Sequence, residues 1–181
     1  MIELKEDMTA GSLQGLLDHP RLVPAVIVAI GLGALGAALA AQFWGGLEPC
    51  VLCMYQRYAY LGAVAMGLAG LALGGNPKAR RVAVALAGLA FLTGAGIAVF
   101  HVGVEQQWWR GTAECHAPVF DPDALIADLR KQLLGLRFAP CDEIRWSLFG
   151  ISMAGYNVPA SLGLAAASLW AALNITGAKR S

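Results

Sequence analysis

The sequence predicts an all-α membrane protein, a bundle of four transmembrane helices with a long loop on one side, and three observations carry that prediction. First, 57% of the residues are apolar and only 14% charged, against roughly 45–50% and about 25% in soluble domains. Second, the charges are unevenly placed. Segments 22–44 and 156–177 carry none, 52–73 carries only Arg57, and 82–104 carries only the titratable His101. Third, each segment is close to the roughly 20 residues that cross about 30 Å of hydrocarbon at about 1.5 Å per residue. A soluble core seldom needs four such stretches in 181 residues. The lipid bilayer is therefore the expected partner. A net charge of +1, with no basic stripe, excludes a nucleic-acid partner.

The elements follow in order. Residues 1–21 form a polar tail for which the sequence offers no role. Segment 22–44 contains Ala38-Leu39-Ala40, a small-x-small site, yet it is longer than the 7–15 apolar residues usual in a signal peptide, so an uncleaved anchor is expected. Loop 45–51 leads to the second span, 52–73. The hairpin 74–81 packs Lys78, Arg80 and Arg81 together, the C-terminus ends on Lys179 and Arg180, and the tail holds Lys5 and Arg21. The positive-inside rule places all three in the cytoplasm. Both termini are then inside, and loops 45–51 and 105–155 face outward with all four cysteines, where disulfides persist. The whole chain, 1–181, reads as one domain.

Within loop 105–155, Asp121-Pro122-Asp123 offers an N-cap, a proline at the first helical position and an acidic first turn. Leu125, Leu129, Leu133 and Leu136 then recur on one face. This predicts a short amphipathic helix lying at the interface or on the bundle. Trp108, Trp109 and Tyr156 stand where segments meet water and read as interfacial anchors. The spans themselves are rich in glycine and alanine, which allows close helix packing. No span contains an acidic residue, which argues against a proton-coupled transporter.

The chemistry is concentrated in Pro49-Cys50-Val51-Leu52-Cys53-Met54-Tyr55-Gln56-Arg57. A Cys-x-x-Cys at a helix N-terminus brings two thiols within bonding reach, and the helix dipole favours thiolate over thiol. Arg57 follows Cys53 by four residues and Cys50 by seven, so the three share a helix face. A guanidinium there either snorkels to headgroups or serves the sulfurs and a carbonyl-bearing ligand. Cys115 and Cys141 form a second candidate pair in the long loop. The spacing of four cysteines leaves three pairings open, and a purely structural disulfide would also fit. A four-cysteine zinc site fits less well, because Cys115 and Cys141 are not closely spaced. No metal is expected. Two dithiols on one side of a membrane suggest an electron relay, and with no haem, flavin or iron–sulfur motif the acceptor would be a lipid-soluble quinone.

These residues resemble the disulfide bond formation protein B (DsbB) family of the bacterial inner membrane. Glu48 to Arg57 is similar to the family's quinone-reducing motif. Further matches are His101-Val102-Gly103-Val104-Glu105, Cys141-Asp142-Glu143, Trp146, and Gly150-Ile151-Ser152-Met153-Ala154-Gly155-Tyr156-Asn157. The resemblance implies a protein dithiol:quinone oxidoreductase that reoxidises a periplasmic DsbA-like partner. It implies that Cys115 exchanges with that partner and that Cys141 passes the exchange to Cys50. Cys53, Arg57 and His101 would then face a ubiquinone or menaquinone, with Cys53 in thiolate–quinone contact. Vitamin K epoxide reductase-like proteins combine similar parts, but there the Cys-x-x-Cys opens the last bundle helix and the loop pair comes earlier.

Overall fold

A computed structural model describes residues 15, 19, 21–115 and 139–175. Four long helices dominate the described residues: α1 (Leu22–Phe43), α2 (Val51–Ala72), α3 (Pro77–Glu105) and α4 (Met153–Asn174). A short 3-10 turn, Ala113–Cys115, follows α3. A two-stranded hairpin, β1 (Ser147–Leu148) and β2 (Ile151–Ser152), leads into α4. The tight turn of that hairpin puts both Phe149 (φ 51°) and Gly150 (φ 78°) in the left-handed region, as a two-residue antiparallel connection requires. The amphipathic helix expected at 121–136 lies outside the described residues.

Three of the four helices start where the sequence supplies a side-chain cap; α1, entered from Arg21, has none. Cys50 Sγ accepts from the N–H of Cys53, Asn76 Oδ1 accepts from Lys78 and Ala79 ahead of a first-turn proline, and Ser152 Oγ accepts from Gly155. The cap at Asn76 begins α3 five residues ahead of the apolar run at 82–104. Arg80, read from sequence as part of an exposed cationic hairpin, is consequently inside the first turn and buried.

Successive helices pack α1 on α2, α2 on α3 and α3 on α4, whereas α1 and α4 barely meet. The contacts are made by small residues. A Cβ on Gly67 would lie 2.8 Å from Val28 Cγ2 and 3.3 Å from the Pro24 carbonyl oxygen, and one on Gly88 would lie 2.9 Å from Leu169 Cγ. Ala63, Ala87, Phe91, Ala98 and Ser161 are fully buried between the helices, while Leu32, Leu61, Leu68, Leu89 and Leu173 point outward. Small residues inside and large apolar ones outside is the arrangement suited to lipid. Among the described residues two helices, Leu22–Phe43 and Pro77–Glu105, are long and apolar enough to cross a membrane.

Of the expected interfacial aromatics, Trp109 folds back on α3. It stacks on Phe100 with ring centroids 6.0 Å apart, donates its Nε1–H to the Phe100 carbonyl at 3.0 Å, and leaves no room for a side chain at Gly103. Tyr156 donates its hydroxyl to Leu148 O across the hairpin.

Replacing Gly67 with leucine should lower the thermal midpoint in detergent, since overpacking costs about 1–3 kcal/mol. Gly33→Leu, at a site with nothing within 4 Å, should leave it unchanged. Equal midpoints for the two variants would contradict the close α1–α2 contact.

Candidate functional site: two cysteine pairs around a buried histidine

Cys50 caps α2 with extended backbone, and its Sγ is 3.1 Å from the Cys53 nitrogen. A parallel bridge to Ala139, whose N–H donates to Pro49 O at 3.3 Å, brings the far end of the long loop beside this cap. Cys115 and Cys141 are joined by a disulfide with Cα atoms 5.0 Å apart, and Cys141 N–H donates to Cys115 O at 3.2 Å. With that pair bonded, no four-cysteine metal site is assembled. Cys50, Cys115 and Cys141 share one buried cluster with Val51, Leu52 and Val104. The loop pair therefore packs against the helix pair and is not held out from the bundle. Cys50 and Cys53 are free thiols.

The helix N-terminus was expected to favour thiolate at both sulfurs of the Cys-x-x-Cys. Cys50 departs from that: its thiol is pushed above the ordinary range, first by its hydrogen bond to Cys53 and then by burial. Two thiols this close titrate as a pair and share a proton, so the dipole cannot favour ionisation of both.

A cavity of about 440 Å³ opens beside the pair. It occupies the interval where α1 and α4 fail to pack, with Ala34 and Ala38 of α1 on one wall and Tyr156 and Ala160 of α4 on the other. Cys53, Arg57 and His101 line it. Arg57 is tied to α1: Nη1 donates to Gln42 Oε1 at 2.5 Å and Nη2 to Ala38 O at 3.2 Å. The guanidinium thus has protein partners in the cavity wall and does not depend on headgroups.

His101 is 4% exposed. Its Nε2 is 3.5 Å from Cys50 Sγ and 3.8 Å from Glu105 Oε1, and its Nδ1 is 3.0 Å from Gln56 Nε2. Beyond Gln56 the contacts cross to α4. Asn157 Nδ2 donates to Gln56 Oε1 at 2.6 Å, and Asn157 Oδ1 accepts from the Tyr60 hydroxyl at 2.8 Å and from Ser161 at 3.0 Å. On the other side Ser152 Oγ, the cap of α4, donates to Glu105 Oε2. Sequence reasoning gave no role to Gln42, Gln56, Tyr60, Glu105, Asn157 or Ser161. The available signal was polar residues at helical spacing inside apolar spans: Gln56 with Tyr60, and Asn157 with Ser161.

A family model described as disulfide bond formation protein DsbB matches residues 20–171. Proteins named disulfide bond formation protein B are similar over much of their length. That of Saccharophagus degradans is 35% identical over 165 residues, 87% of this chain and 95% of that protein. That of Pasteurella multocida is 32% identical over 121 residues, 67% of each chain, and that of Methylobacillus flagellatus is 32% identical over 134 residues, 73% of this chain and 80% of the other. The match decides against the vitamin K epoxide reductase-like alternative. A membrane-type helical bundle with four cysteines gathered at one end, matched to this family over most of its length, belongs to the DsbB family of disulfide-forming membrane oxidoreductases.

Proposed function

We propose that this protein takes electrons from a periplasmic DsbA-like thiol oxidase and passes them through Cys115–Cys141 and then Cys50–Cys53 to a membrane quinone, ubiquinone or menaquinone. In this reading the chain is one domain with four spans in the bacterial inner membrane. Both termini are cytoplasmic, and loops 45–51 and 105–155 are periplasmic. The observation that carries the reading is that the Cys115–Cys141 pair packs in one buried cluster with Cys50, while Cys50 and Cys53 line the cavity between α1 and α4.

The exchange steps balance without an outside reagent. A partner thiolate attacks Cys115, forming a mixed disulfide and releasing Cys141 as thiolate. Cys141 attacks Cys50 of the Cys50–Cys53 disulfide, forming a Cys141–Cys50 bond and releasing Cys53. The partner's second thiol closes its own disulfide and frees Cys115, which attacks Cys141 and releases Cys50. Two electrons have then moved from the partner to Cys50 and Cys53. A low-pKa leaving thiol speeds an exchange; Cys50, whose thiol is pushed up by Cys53 and by burial, is the poorer leaving group of the relay.

The cavity suits a quinone ring, with apolar walls for its body and the Arg57 guanidinium to meet a carbonyl oxygen. When bound, the quinone accepts two electrons and two protons as the Cys50–Cys53 bond re-forms. The chain's part is to hold Cys53 at the cavity, to fix the Arg57 cation by way of Gln42 and Ala38, and to keep Cys50 against His101.

Cys53→Ser should abolish quinone reduction by purified protein supplied with reduced DsbA-like substrate, and normal turnover would remove the relay. A DsbA-like partner lacking its second thiol should accumulate as a mixed disulfide with Cys115, releasing Cys141, seen by non-reducing electrophoresis and peptide mapping; a trap through Cys50 would reverse the direction of flow. Arg57→Met should raise the quinone KM at least about tenfold, the value of a hydrogen bond from a charged group, with the partner-exchange rate unaltered. An unchanged KM would take Arg57 out of the quinone site.

A further inference from the structure

Two side-chain amides stand in series between α2 and α4, and an amide donates from one end only. Asn157 Oδ1 takes the hydroxyl hydrogens of Tyr60 and Ser161, which leaves Nδ2 to donate to Gln56 Oε1. Gln56 then has only its Nε2–H group for His101 Nδ1 at 3.0 Å. That ring nitrogen must be the bare one, and a neutral imidazole carries its proton on the other.

The far side of the ring makes the same demand. Nε2 faces Cys50 Sγ at 3.5 Å and Glu105 Oε1 at 3.8 Å. Turning both amides over would preserve the inner bonds. It would also point a bare Nε2 lone pair at the Glu105 carboxylate, which can only accept when ionised.

We propose that Gln56 and Asn157 are positioning residues that hold His101 as its Nε2–H tautomer, with the ring proton aimed at Cys50 and Glu105. The purpose of this arrangement rests on the relay described above; its geometry does not. When Cys115 attacks Cys141 and the Cys50–Cys141 bond breaks, Cys50 departs with the bonding pair and no proton changes hands. An N–H already directed at that sulfur stabilises the charge that arises there. The contacts of Gln56 and Asn157 reach Cys50 through the imidazole.

The test is nitrogen-15 NMR of histidine-labelled full-length protein in detergent near neutral pH, with His101 assigned among the three histidines by a His101→Gln control. The wild type should show a protonated Nε2 and a bare Nδ1. Gln56→Met and Asn157→Leu should each give a mixture of tautomers. In single-turnover measurements they should slow transfer from the loop pair to the helix pair roughly tenfold, as expected for one charge-assisted hydrogen bond. A wild-type ring protonated at Nδ1, neutral or cationic, overturns the assignment, and so does an unchanged tautomer in both variants. The spectrum is read without turnover. Protein that failed to reduce quinone yet carried the Nε2–H ring would sink the relay and leave the tautomer standing.

Discussion

An imidazole that is 4% exposed inside a bundle of apolar helices has to find its hydrogen-bonding partners within the protein, because an unpaired polar group there costs several kcal/mol. His101 stands on α3, and its partners are Cys50, the cap of α2, Gln56 on α2, and Glu105 one turn onward on α3. Gln56 is in turn held by Asn157 of α4, and Glu105 by the Ser152 cap of the same helix. One side chain thus sets the relative positions of α2, α3 and α4 around Cys50. Moving any of the three helices by a turn would strand several buried polar atoms at once.

The fourth helix is held differently. α1 packs on α2 through Gly31, Gly67 and Gly70, where a side chain would collide with Val64, Val28 or Pro24, and it scarcely reaches α4. The cavity exists because this one interface is missing from the bundle. Arg57 spans part of the interval by reaching Gln42 and Ala38. The same guanidinium therefore fastens α1 and lines the space that α1 and α4 leave between them. A neutral residue there would lose both effects together.

Much of this was legible in the sequence because it depends on near neighbours. Cys50, Cys53 and Arg57 fall on one helix face by spacing alone. The DsbB resemblance was carried by a contiguous motif. What escaped was long-range. Gln56 and Asn157 are 101 positions apart, and neither is informative until α2 and α4 are side by side. The raised pKa of Cys50 was missed because helix-dipole reasoning treats each thiol singly, whereas these two compete for one proton. Arg80 was assigned to an exposed turn because charge counting ignores the cap at Asn76, which starts α3 early enough to bury it.

Polar side chains lower the apolarity of two of the helices: Arg57, Gln56 and Tyr60 on α2, and Asn157 and Ser161 on α4. Hydropathy charges each of them as if it stood alone in hydrocarbon. Arg57 is partnered by α1, and Gln56, Tyr60, Asn157 and Ser161 satisfy one another across the bundle, so most of that cost vanishes once the bundle forms. In the proposed four-span arrangement α2 and α4 are then marginal as separate segments and stable once linked. Removing Asn157 would weaken more than one hydrogen bond, since Gln56, Tyr60 and Ser161 would all lose a partner in a place where water cannot replace it. Arg57 aside, the polar residues that lower the apparent fitness of these helices for a membrane are those that connect them to the histidine beside Cys50.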